Sequence, residues 1–120
     1  MAKITVPELI QTIPTPLKVG TLTYKVETFF PLIDPETNEE VAGLCVFDTQ
    51  TIKVNGIAAS NEYVVDTVLH ELLHAVWSER GLPKTPKEER AVKALGTGLV
   101  ALFQDNPKLL AWVKKGLSRR

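Results

Sequence analysis

The segment between Ser60 and Gly81 constrains the fold of this chain more than any other. Val64, Val65, Val68, Leu69, Leu72, Leu73, Ala75, Val76 and Trp77 crowd into it and predict one long, strongly apolar helix. Ser60 or Asn61 can cap its start, and Gly81 should stop it just after about Arg80. Both histidines of the chain lie in its middle, in the pentapeptide His70-Glu71-Leu72-Leu73-His74. Residues four apart in a helix sit one turn apart on one face. Two imidazoles placed that way can share one zinc ion, at roughly 2.0–2.1 Å per nitrogen. Glu71 then projects beside the metal, where it can take a proton from water as a general base.

A catalytic zinc takes three protein ligands and leaves one position open. No third histidine exists, so a carboxylate must complete the set. Glu79 lies on the wrong side of the helix, and Asp66 lies a turn before His70. Asp48 and Asp105 have no spacing argument. Glu88 and Glu89 remain, at the start of a second helix that a short connector can fold back on the first. Glu88 has another use, as the capping-box partner of Thr85, although it shares a face with Leu95, Leu99 and Leu102. Glu89 shares a face with Val92, Gly96 and Phe103, and a glycine there allows two helices to approach closely. Glu89 is therefore the preferred third ligand and Glu88 the alternative.

The 120 residues suffice for one domain, 1–120, with a modest core. Fourteen basic and fourteen acidic side chains balance, so net charge gives no nucleic-acid or membrane signal. Lys114, Lys115, Arg119 and Arg120 form a basic end that reads as a solvated surface. The lone Cys45 cannot form an intrachain disulfide and sits in an apolar run, as a small core residue would. No signal-peptide pattern is visible, and no run reaches the ~18 apolar residues of a membrane span. The expected location is cytoplasmic.

Before the long helix the pattern changes to a period of two. Leu22 to Phe30 alternates and predicts a strand; Val41 to Phe47 and Thr51 to Val54 predict two more. Asp34-Pro35-Glu36-Thr37-Asn38 marks a loop between the first two. Short links suggest a three-stranded antiparallel meander. Thr85-Pro86-Lys87-Glu88 opens a second helix, running to about Gln104. Asn106-Pro107 starts a third, over about Lys108 to Lys115. The order β-β-β-α-α-α makes an α+β domain.

Taken together, His70-Glu71-Leu72-Leu73-His74, Glu88-Glu89-Arg90-Ala91-Val92 and Leu95-Gly96-Thr97-Gly98-Leu99 resemble small zincin-like proteins of phages and prophages. These are similar to gluzincin metallopeptidases, including ImmA/IrrE-type and minigluzincin proteins. The resemblance covers about residues 19–107. It implies a third ligand from a glutamate on the next helix, followed by an apolar residue six positions on and a small one seven on. Glu89 with Leu95 and Gly96 fits that pattern better than Glu88 with Ala94 and Leu95. It also implies a small sheet whose last strand, here Ile52-Lys53-Val54, borders the cleft. The chain departs from the pattern in having no tyrosine or histidine after the zinc helix to stabilise an oxyanion; Tyr24 and Tyr63 both precede it.

The expected function is a small peptidase with one zinc ion, held by His70, His74 and Glu89, and Glu71 as general base. A peptide or protein substrate would add to the strand at Ile52–Val54, inside a bacterial host if the chain is phage-encoded. A zinc-stabilised protein-binding module without peptidase activity is the alternative. A metal-free helix with histidines in its core is the third reading.

Overall fold

A computed structural model describes residues 4–117; Arg119 and Arg120 of the basic end lie outside them. The elements are α1 (Val6–Gln11), β1 (Leu17–Val19), β2 (Leu22–Phe29), β3 (Gly43–Val46), β4 (Thr51–Asn55), α2 (Asn61–Glu79), α3 (Pro86–Asp105) and α4 (Pro107–Gly116). The α+β class holds, but the sheet is not a three-stranded antiparallel meander. It has four strands in the order β1-β2-β4-β3 and is mixed.

The difference has two causes. The first is an unanticipated strand. Val19 pairs with Leu22 across a two-residue turn, so β1 forms a hairpin with β2. Gly20 at φ +60° supplies the left-handed conformation that such a turn requires. The second is the long link from β2 to β3, which carries the chain to the far edge of the sheet. β4 then returns into the gap, antiparallel to β3 (Cys45 opposite Ile52) and parallel to β2 (Val26 opposite Ile52). A parallel pair needs a crossover of about a dozen residues or more, and the β2–β4 connection, which contains β3, is long enough.

Burial shows why β4 belongs in the middle. Thr51, Ile52, Val54 and Asn55 are all buried, on both faces of the strand. Ile52 and Val54 join Val19, Tyr24 and Ala75 in the core. Burying a side chain of this size contributes on the order of 1.5–3 kcal/mol, so β4 anchors the sheet. The edge strand beside α2 is β3, and Ile52–Val54 has no free edge.

The helical half follows the sequence closely. Ser60 Oγ accepts the Tyr63 N–H at 3.1 Å and caps α2. At the other end the Leu82 N–H bonds the Trp77 carbonyl and the Gly81 N–H bonds that of Ser78, both at 3.1 Å. With Gly81 at φ +72°, this is a Schellman stop. The Trp77 indole N–H also donates to the Pro83 carbonyl at 3.0 Å, tying down the connector. α3 then packs along α2. Toward the interior α2 presents Val64, Thr67, Glu71 and Ala75, a helical stripe in which the carboxylate is the anomaly. None of the helices among the described residues is long and apolar enough to cross a membrane.

Candidate metal centre

His70 and His74 project from α2 with ring centroids 4.9 Å apart. Glu89, in the first turn of α3, reaches both. One carboxylate oxygen lies 2.8 Å from His70 Nε2 and the other 2.9 Å from His74 Nε2. One donor atom from each of the three residues falls within a 4.8 Å set, which makes them able to hold a metal ion. The two histidines are mostly buried, whereas the Glu89 side chain is 63% exposed, so the cluster opens to solvent on the Glu89 side.

Glu88 stands outside this donor set and does not form the expected capping box. Thr85 caps α3 by accepting the Lys87 N–H at 3.2 Å, and no capping box with Glu88 forms. Instead Glu88 is buried, and its carboxylate lies 2.6 Å from His74 Nδ1, on the opposite side of the ring from Glu89. A carboxylate there holds the Nδ1–H tautomer and leaves the Nε2 lone pair for a metal. Adjacent residues of a helix point about 100° apart, so the pair can grip one imidazole from two sides.

Gly96 packs against the backbone of His70, as the close helix approach requires. A Cβ built on Gly96 would lie 3.8 Å from His70 N and Cα and 3.4 Å from the Asp66 carboxylate. The position therefore needs a small residue rather than glycine itself. Asp66 accepts a long hydrogen bond from Thr97 at 3.5 Å and is outside the donor set. Glu79 lies over Gly20, at the other end of the sheet contact.

Glu71 is 7% exposed, between α2 and the edge strand β3. Opposite it is Gly43, where a Cβ would come within 3.0 Å of the Glu71 carboxylate and 2.9 Å of the Thr67 methyl. The missing side chain at Gly43 is what makes room for Glu71. Burial pushes the Glu71 carboxyl up to about 7; Glu89 adds to the rise and His74 opposes it. Burial also raises the Cys45 thiol, to about 12, with the charges of Glu71 and Glu88 contributing. Cys45 thus remains protonated at neutral pH and is not an activated nucleophile.

Two adjoining clefts of about 360 and 400 Å³ share His70, Glu71, Glu89 and Gly43 as walls. The first continues along Leu44 and Cys45 of β3 to Lys84, whose ammonium sits 4.5 Å from the Phe47 ring centre. The second continues to Tyr63 and Lys93. Tyr63 is seven residues before His70, hence on nearly the same face of α2 and two turns away. Tyr24, by contrast, is buried in the core. The spacing of Tyr63 was legible in the chain. The places of Gly43, Lys84 and Lys93 depend on packing between elements and were not.

Comparison with protein-family models, with curated proteins and with solved structures returns no match. The site must therefore be read from its own geometry.

Proposed function

We propose that this chain is a small zinc-dependent peptidase. The observation that carries the reading is the convergence of two imidazoles and one carboxylate beside a separate, buried carboxylate on an open cleft. In the proposed roles His70, His74 and Glu89 are the ligands and Glu71 is the general base. Two nitrogens and one oxygen suit zinc, and three ligands leave the open position that catalysis needs. Bound there, zinc would supply Lewis acidity and lower the pKa of a coordinated water to ≈ 7.

The chain's own residues would do the rest. Glu71 would accept the proton of the attacking water and return it to the leaving amine. Its raised proton affinity favours acceptance near neutral pH, and a nearby cation would offset part of that rise. β3 would hold the substrate. It is the edge strand that walls the cleft, so an extended peptide can add to it through backbone hydrogen bonds. This moves the proposed substrate strand from Ile52–Val54 to Gly43–Val46, because Ile52–Val54 is paired on both sides. Tyr63, on the wall of the other cleft, would be the candidate to polarise a substrate carbonyl.

The binding-module alternative would be favoured by a fourth protein ligand closing the site. The donor set found among the described residues has three members. The deciding experiment is metal analysis of the purified protein together with a peptide-library digestion by the wild type and Glu71→Gln. Zinc in both proteins with cleavage by the wild type alone supports the peptidase. Zinc in both with cleavage by neither leaves the binding module.

A further inference from the structure

The first cleft leads from the candidate metal centre along β3 to a cation that the proposed reaction does not use. Lys84, in the connector between α2 and α3, walls this cleft together with Cys45 and Phe47. Its ammonium lies 4.5 Å from the Phe47 ring centre. The carbonyl of the preceding residue, Pro83, is held by the Trp77 indole N–H at 3.0 Å, which fixes the backbone beside it. A cation–π contact places a charge without neutralising it. Among the described residues Lys84 forms no ion pair, although Glu88 and Glu89 wall the same cleft. Both of those carboxylates are turned to the imidazoles instead, and a divalent ion at the centre would offset their two charges.

The second cleft differs. Beyond the centre that the two clefts share, its wall carries Lys93 and Asp66, one charge of each sign. The unmatched cation is therefore on the side of the first cleft. The period of β3 converts it into a position. Gly43, Cys45 and Phe47 are alternate residues, Gly43 faces Glu71, and Phe47 lies just past the end of the strand beneath Lys84. Four steps at about 3.3 Å each put ~13 Å between the two along the strand. A peptide laid on β3 with its reacting carbonyl near Glu71 would bring beside Lys84 a side chain about three to five residues away.

We propose that Lys84 is a specificity-determining residue, and that the site selects peptides with a carboxylate about four residues from the scissile bond on the side of the first cleft. The inference rests on the peptidase reading for the position of that bond. Aspartate, glutamate and a free C-terminus all offer the group. The ammonium is exposed, so it discriminates between peptides rather than supplying most of their affinity.

The test uses zinc-loaded Glu71→Gln protein, which separates binding from cleavage. The probes are fluorescent alanine–serine peptides in which one glutamate is walked along the chain, each beside its glutamine counterpart, and a further pair with free and amidated C-termini. Fluorescence anisotropy reads the affinity. A carboxylate at the matching position should tighten binding roughly fivefold, the scale of one exposed ion pair, and added salt should erase the gain. Lys84→Ala should remove the preference. Lys84→Glu should turn it toward lysine at the same position, which loss of packing on Phe47 alone would not do. Lys93→Ala should leave the preference in place. A gain at an internal glutamate assigns the carboxylate to a side chain, and a gain confined to the free terminus assigns it to the peptide end. Equal binding of acidic and neutral peptides, absence of peptide binding, or a preference that survives Lys84→Ala overturns the proposal. Digestion by the wild type keeps the two readings apart. Cleavage with no acidic preference sinks the role of Lys84 alone, whereas a Lys84-dependent preference in binding without cleavage supports that role and sinks the peptidase.

Discussion

Glu88 and Glu89 grip His74 from both sides, with Glu88 2.6 Å from Nδ1 and Glu89 2.9 Å from Nε2. Neighbours in sequence thus take different tasks: one can bind a metal and the other orients the imidazole. Removing the orienting partner of a ligating histidine typically costs about 10–100-fold in metal affinity. We expect Glu88→Ala to weaken zinc binding by that factor and Glu89→Ala to weaken it further. Competition with a chromophoric chelator measures both. Wild-type affinity in Glu88→Ala would show that the Glu88–His74 contact does not tune the site.

Zinc should bind at one ion per chain and raise thermal stability. A ligand at a hundred times its Kd stabilises the native state by about 2.7 kcal/mol. His70→Ala and His74→Ala should lose both the metal and the stabilisation. A thermal shift in zinc that survives both substitutions would place the metal elsewhere.

Metal-free protein should lose stability as pH rises from about 4.5 to about 7, because the folded state holds the Glu71 proton more tightly than the unfolded chain does. The sign follows from the excess of bound protons in the native state across that window. The loss is on the order of 3 kcal/mol if the full shift is expressed. Glu71→Gln should flatten this slope and be the more stable protein above pH 7. Urea unfolding in the presence of a chelator, repeated across the window, gives the comparison.

Gly43→Ala should keep zinc and lower peptidase activity. The added methyl meets the ends of Glu71 and Thr67, so the carboxylate must shift away. General acid–base catalysis contributes about 10²–10⁴-fold, which bounds the effect. Undiminished turnover in Gly43→Ala would remove Glu71 from the mechanism or show that its position is not critical.

Gly96→Ala should leave metal binding intact, since the new Cβ has only ordinary contacts with His70. It can even stabilise α3, by up to about 1 kcal/mol of helix propensity. Gly96→Leu should push α3 from α2 and separate Glu89 from the histidines. Titration with zinc distinguishes the two variants.

The legible part of the protein is the part built from local rules. Caps, stops and period fixed α2 and α3 to within about two residues, and i,i+4 spacing placed His70 and His74 together. The choice of Glu89 rested on Gly96, a packing inference along one helix face, and the structure brings those residues into the expected relation. Strand order was not legible, because alternation reveals faces but not neighbours. Thr51 shows why: it reads as an exposed alternate of Ile52 and Val54, yet both faces of β4 are covered. The sequence context of Glu88 offers it a capping box or a ligand role, while its partner in the structure, His74, is fourteen residues back on another helix.

The Schellman stop at Gly81 has a consequence for how this protein comes apart. It closes the α2–α3 hairpin a few residues beyond His74, so only fifteen positions along the chain separate His74 from Glu89. Closing so short a loop costs little entropy, and none of the metal donors comes from the sheet. Glu71 and its cleft, by contrast, exist only while β3 lies against α2. On the proposed reading, fraying of that edge would disrupt the strand offered to a substrate and flood the carboxylate with water, yet leave His70, His74 and Glu89 together. Damage or ageing of the protein should therefore abolish the proposed activity before it abolishes the capacity to bind a metal.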